Sequence, residues 1–170
     1  MIRGILLIAF GCLLVAALGW TACVRQDKVA ARGQELLFDD FGFSVRDVRK
    51  SKTLGPPARV RAAAGTFWIV DLQVRNHALR VGYRLDTHQP VIVDARGRRF
   101  TESPEGEAAL RQAGEATAPV VEIGHGESCL TRLVFDLPED ASEPRLEIRF
   151  GDVGSLLDYV LLGDWSLELR

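Results

Sequence analysis

The stretch from Thr66 to Arg75 constrains the fold more than any other part of the sequence. Trp68, Val70, Leu72 and Val74 fall on one side of an extended chain, and Asp71, Gln73 and Arg75 fall on the other. Successive strand side chains point to opposite faces, so this spacing predicts a half-buried antiparallel strand. The two-residue period recurs at Phe41, Phe43 and Val45, and again at Cys129, Thr131, Leu133, Phe135 and Leu137. It returns at Leu146, Ile148 and Phe150, and last at Trp165, Leu167 and Leu169.

Turn residues separate these segments. Asn76-His77 reads as a turn start, because Asn tolerates left-handed geometry. Gln89 to Phe100 reads as a hairpin around Asp94-Ala95-Arg96-Gly97. Gly124-His125-Gly126-Glu127 is another turn, and Pro138 ends the strand after it. Lys50 to Ala64 contains Gly55-Pro56-Pro57 and reads as a loop or irregular edge. Leu156 to Leu162 is apolar without a clear period, so strand and short helix stay open there.

A single helix is expected. Ser103 is an N-cap, Pro104 suits the first helical position, and Gly114 closes the helix after about Ala113. It is expected to decorate a sheet edge or a loop. Six or seven strands with one short helix specify an all-β domain, an antiparallel β-sandwich or barrel.

The amino-terminal segment carries a different message. No charge lies between Arg3 and Arg25, and Gly4 to Val24 is almost wholly apolar. A bilayer core takes about 20 such residues as a helix. Gly4 to Phe10 and Leu13 to Leu18 show no polar face, which a soluble core helix would need. Residues 1–24 are therefore expected to be a transmembrane anchor or a signal peptide. Trp20 and Arg25 suit the membrane interface. Cys23 is a candidate lipidation site, and cleavage without lipidation is the remaining alternative. Residues 25–35 form a polar juxtamembrane spacer, in which Gln26 to Glu35 could extend the helix by a turn or two before Gly33 stops it. Residues 36–170 form the folded domain, placed outside the cytoplasm because the amino-terminal flank is too short to be more than an anchor.

Composition removes several function classes. The formal net charge is −2, so recognition of nucleic acid by bulk positive charge is excluded. Three cysteines and one methionine do not build a disulfide scaffold or a thioether-rich metal site. There is no Gly-x-Ser-x-Gly nucleophile turn and no phosphate-binding Gly-rich loop opening a helix.

Three stretches together carry a family resemblance. They are Trp68-Ile69-Val70-Asp71-Leu72-Gln73-Val74-Arg75-Asn76, Val91 to Phe100 with its Asp94-x-x-Gly97 turn, and Gly126-Glu127-Ser128 leading to Phe135-Asp136-Leu137-Pro138. This order resembles a bacterial immunoglobulin-like domain family of unknown function, found in secreted, lipid-anchored and membrane-anchored envelope proteins. The resemblance implies an immunoglobulin-like antiparallel β-sandwich and a role in binding or assembly. It implies no catalytic residues. Gly-His-Gly replaces the family's usual Pro-Gly before Glu127, and the helix at 104–113 looks inserted.

Candidate sites are few. His125 and Cys129 are too far apart along a strand to share an ion, and His77 and His88 lack a nearby cysteine or acid pair. No metal or cofactor is expected, and the histidines read as solvated loop residues. Cys129 lies on the core face and reads as a buried, inert thiol. Glu102, Glu105, Glu107 and Glu115 make an acidic region in which paired carboxylates are conceivable. Arg75, Arg80 and Arg84 carry no specific signal. Arg96, Arg98 and Arg99 form a basic hairpin tip, and with Glu105 and Glu107 of the inserted segment they are the expected partner contacts. The expected function is a membrane-tethered, extracytoplasmic binding or envelope-assembly module with a protein partner in the envelope, membrane lipid contact through residues 4–24, and no catalysis. A metal carrier or enzyme built from distant residues, and a structural subunit of a membrane complex, are the alternatives.

Overall fold

In the computed structural model, which describes residues 28–84, 88–116, 122–150 and 165–170, the alternating segments pair into two sheets. In chain order the strands are β1 (Lys28–Ala30), β2 (Leu36–Phe38), β3 (Phe41–Leu54), β4 (Arg61–Asn76), β5 (His88–Val93) and β6 (Arg99–Phe100). The helix α1 (Pro104–Gln112) follows, then β7 (Ser128–Leu137), β8 (Arg145–Phe150) and β9 (Trp165–Glu168). One sheet has the order β2-β3-β4-β7 and the other β1-β9-β8-β5-β6. β4 lies antiparallel to β3 on one side and to β7 on the other.

The core lies between the sheets. From one side come Phe43, Val45, Val70, Val74 and Phe135, and from the other Ile92, Leu146 and Leu167, each at most 1% exposed. Each such side chain contributes about 1.5–3 kcal/mol of apolar burial. Phe38 and Trp165 meet edge to face at 4.6 Å between centroids, which ties β2 to β9. The alternation of Trp68, Val70, Leu72 and Val74 is observed as expected, all four facing this core.

Four local expectations are overturned. The helical extension expected across residues 26–35 is a strand from Lys28 to Ala30, followed by a turn in which Gly33 takes a φ of +82°. The loop expected from Lys50 to Ala64 shrinks to its Gly-Pro-Pro centre, because β3 runs on to Leu54 and β4 starts at Arg61. A register shift between Val45 and Asp47 absorbs one extra residue and lets β3 continue in phase with β4. Asn76 does not adopt a positive φ, so left-handed geometry is not its purpose.

The helix is the fourth correction. It packs on the outer face of the β3-β4-β7 sheet, not on an edge. Gly106, Ala109 and Leu110 share one helical face and cover Phe67, Ile69, Val134 and Leu54. At nine residues, α1 is too short to persist alone in water, where roughly 12–15 residues are already marginal. This second apolar cluster is what holds it. β4 is consequently buried on both faces at Phe67–Val70. From Val29 onward the elements described belong to one compact unit, 29–151 with Trp165–Arg170.

Candidate functional site

The sandwich has two ends, and each gathers polar residues. At the hairpin end, β7 stops at Leu137, and the β5–β6 turn packs on the β7–β8 connection. Asp94 organises this turn. Its Oδ1 accepts the backbone N–H groups of Arg96 and Arg98, both at 2.9 Å, and its Oδ2 accepts Arg98 Nε at 2.8 Å. Gly97 supplies the positive φ of +73° that closes the turn. Arg98 then reaches Asp140, with Nη1 at 3.0 and 3.1 Å from its two carboxylate oxygens and Nη2 at 3.2 Å from its carbonyl oxygen. Arg96 Nη1 adds a contact of 2.7 Å to the same carboxylate. Arg99 Nη2 lies 4.0 Å from Glu147 Oε2 on β8.

The basic tip is therefore matched by acids of its own chain. Burial alone would raise the Asp94 carboxyl. The amides and guanidinium that surround it outweigh that effect and hold it below the usual carboxylate range. Asp140 is lowered first by its bonds from Arg98, against some desolvation. Arg98 is the strap, and Arg96, whose side chain is 60% exposed, is the tip residue with most freedom to meet another molecule.

The acidic region divides. Glu105 pairs with Arg61 of β4, and Glu115 lies 3.6 Å from Arg49 of β3. Ser103 Oγ accepts Gly106 N–H at 3.1 Å and caps α1. Only Glu102 and Glu107 come together, and their side chains hydrogen-bond to one another. Glu102 sits on a bridge to Phe135, next to β6. Burial first, and then the bond and charge of Glu107, push the Glu102 carboxyl up to about 8. Glu102 therefore keeps its proton at neutral pH.

The other end is built around Asn76, which is fully buried. Its Nδ2 donates to the carbonyl oxygens of Val81 at 2.7 Å and Ile123 at 3.0 Å, and its Oδ1 accepts Ala78 N–H at 2.9 Å. Tyr83 and Ile123 form an antiparallel bridge alongside. His125 Nδ1 lies 2.6 Å from the Ala78 carbonyl oxygen, and His77 Nε2 lies 3.2 Å from Glu35 Oε1. Both histidines are exposed loop residues, as expected, and each also ties one loop to another. The turn so fixed holds Leu79 and Val81 out in water, at 78% and 60% exposure.

Cys129 is half-buried against the main core. Burial pushes its thiol up, against a lowering hydrogen bond at the Val74 backbone, which disfavours a reactive thiolate. Among the described residues no group of three or more His, Cys, Asp or Glu side chains converges on a point that could hold a metal. Trp20, Cys23 and Arg25, the anchor at 1–24 and the run Leu156 to Leu162 lie outside the described residues. Among the described residues no helix is long and apolar enough to cross a membrane.

Sequence reasoning missed Asp140 and the pair Leu79 and Val81. Asp140 carries no motif, and its partner Arg98 is 42 residues away. Leu79 and Val81 were legible only as two apolar residues in a turn.

Two sheets around a shared core define a β-sandwich domain. A conserved hypothetical protein of Bacillus anthracis is similar in structure, with a TM-score of 0.56 at 14% identity over 70% of this chain and 87% of that one. The secreted protein MPT63 of Mycobacterium tuberculosis is similar at a TM-score of 0.57 and 20% identity, over 84% of this chain and 98% of that one. An uncharacterized β-sandwich protein of Clostridium difficile is similar at 0.52 and 12%, over 86% and 96%. No curated protein matches in sequence. Residues 31–155 match the family described as Domain of unknown function (DUF4352), and the chain belongs to that family.

Proposed function

We propose that this protein is a membrane-tethered, extracytoplasmic, immunoglobulin-like sandwich that acts as a binding or envelope-assembly module and carries out no catalysis. One observation carries the tether. An uncharged apolar run from Gly4 to Val24 ends three residues before the first strand opens at Lys28. The secreted description of one structural neighbour supports a location outside the cytoplasm. Recognition uses the loop ends, since the inner faces form the core and α1 covers the outer face of the β3-β4-β7 sheet. At the hairpin end the proposed contacts are Arg96, Arg98 and Arg99, with Glu105 and Glu107 of the adjoining segment. Their pairing with Asp94, Asp140, Glu147, Arg61 and Glu102 means that a partner must exchange with those groups. Arg96 does this most readily, because exposed ion pairs contribute only about 0–1 kcal/mol.

The test is photo-crosslinking in intact bacterial cells from the full chain, with the crosslinker at exposed position 95, followed by purification from gently solubilised membranes and mass spectrometry. A discrete crosslinked envelope protein that disappears with Arg96→Glu and Arg99→Glu is expected. Recovery from the cytosol, or crosslinks indifferent to both substitutions, would contradict the reading. The mass of the amino-terminal peptide from the same preparation distinguishes an intact anchor from lipidation at Cys23.

A further inference from the structure

We propose that α1 is a proton-controlled flap. While Glu102 holds its proton, the carboxyl pair of Glu102 and Glu107 latches the helix to the outer face of the β3-β4-β7 sheet. Loss of that proton lets α1 unfold off the sheet and bare Phe67, Ile69 and Val134 to water.

The helix has little stability of its own. Nine residues are too few to persist alone in water, so α1 is helical only while Gly106, Ala109 and Leu110 lie on Leu54, Phe67, Ile69 and Val134. Its two ends are tied separately. Before it, Ser103 N–H donates to the Val134 carbonyl oxygen at 2.7 Å. After it, Arg132 Nη1 donates to the Glu115 carbonyl oxygen at 2.5 Å. Release is therefore a local unfolding between two fixed points, with the rest of the sandwich left in place.

The latch joins the two sides of this interface. Glu102 belongs to the sheet side, in the bridge to Phe135, and Glu107 stands on the first turn of α1. Their side chains hydrogen-bond to one another, which requires an O–H on one carboxyl to donate to the other. Two ionised carboxylates in the same place repel instead, and Glu102 would carry its charge while partly buried.

Among the described residues no base takes the place of that proton. On β3, Arg49 lies by Glu115, Lys50 lies over the Trp68 ring, and Lys52 is bonded to Glu139. On β4, Arg61 pairs with Glu105 of α1, and Asp71 is held by Arg132 of β7. Also on β7, Asp136 accepts the Ala64 and Gly65 N–H groups. Arg99 of β6 lies toward Glu147. Arg111, exposed in the last turn, is the one base on α1 itself. Burial first and then Glu107, and no arginine or lysine, move the Glu102 carboxyl up to about 8. With α1 off the sheet it returns to the ordinary value of 4.5. The raised group stabilises the docked helix while protonated, so the opening constant of α1 should rise about tenfold per pH unit between roughly pH 5 and 8 and level off above.

Hydrogen–deuterium exchange of the full chain in detergent micelles, read by mass spectrometry at each pH from 5 to 9 and corrected for intrinsic exchange, tests this. A peptide from residues 105–112 is compared with one from residues 67–74 of β4. The α1 amides should exchange through an opening far more frequent than that of β4, with the stated pH slope. Glu102→Gln keeps a donor to Glu107 and carries no charge, so it should remove the slope. Glu107→Gln removes the neighbouring charge and leaves the burial, so the levelling should come at lower pH. An opening constant independent of pH, a slope that survives unchanged in Glu102→Gln, or α1 amides that exchange only together with β4 would each overturn the flap. Should Glu102→Gln fail to fold, Glu107→Gln decides alone, and a levelling at the same pH as the unmodified chain would overturn the latch.

Discussion

Replacing Asn76 by Ala and by Gly separates two explanations for one residue. If Asn76 is present for its hydrogen bonds, both substitutions remove two donations and one acceptance. Each bond is worth about 1 kcal/mol net, and each buried partner left unsatisfied costs roughly 1–3 kcal/mol. The Val81 and Ile123 carbonyls and the Ala78 amide are all stranded, because Asn76 is fully buried and no water replaces it without opening the end of the sandwich. The expected loss is about 3–5 kcal/mol, a large share of the usual 5–15 kcal/mol of a domain. In urea, with a slope of roughly 1–3 kcal/mol per molar, the midpoint falls by about 2 M at unchanged slope. Gly is expected to be at least as damaging as Ala. If Gly instead restored wild-type stability while Ala did not, a backbone requirement would explain the residue. A loss under about 1 kcal/mol for both would also refute the hydrogen-bond argument.

Three further outcomes follow from the packing. The raised Glu102 carboxyl favours folding while it is protonated, so its contribution is complete below about pH 4.5 and fades as the pH rises toward 8. Glu102→Gln should leave the thermal midpoint unchanged at pH 5, raise it at pH 8–9, and flatten its pH profile. A Cβ at Gly106 would meet Val134 Cγ1 at 2.6 Å, so Gly106→Ala should destabilise by about 1–2 kcal/mol despite its better helix propensity, measured by chemical denaturation. Arg132 holds Asp71 through two bonds, at 2.6 and 2.8 Å. Asp71→Asn should cost about 1.5–3 kcal/mol in the same assay, as expected for a charge-assisted bidentate pair that is mostly buried.

How much was legible depended on whether the information was local. The face of β4 carrying Trp68, Val70, Leu72 and Val74, the Asp94–Gly97 turn and the Ser103 cap are all short-range patterns, and the sequence states them directly. The second face of β4 was present as the unbroken run Phe67-Trp68-Ile69-Val70, but a two-residue period accounts for only one face of such a run. What fills the other, α1, arrives some 40 residues later in the chain. β1 is three residues long, too short to show a period. The loop reading of Lys50 to Ala64 gave Pro56 and Pro57 too wide an influence, since a proline denies only its own amide to the ladder. At the candidate sites, acid clustering in sequence did not survive folding. Glu105 and Glu115 turn toward separate arginines, and only Glu102 meets Glu107. The basic tip looked free because its counter-ion, Asp140, lies on another connection.

The most direct test of the proposed role asks where the sandwich lies and what holds it there. Spheroplasts of bacterial cells expressing the full chain, treated with external protease and then fractionated, answer both questions at once. The chain is expected in the membrane fraction after carbonate washing, with the β-sandwich cut from outside at its exposed loops. A chain that resists protease until the cells are lysed, or that washes off the membrane intact, would contradict it.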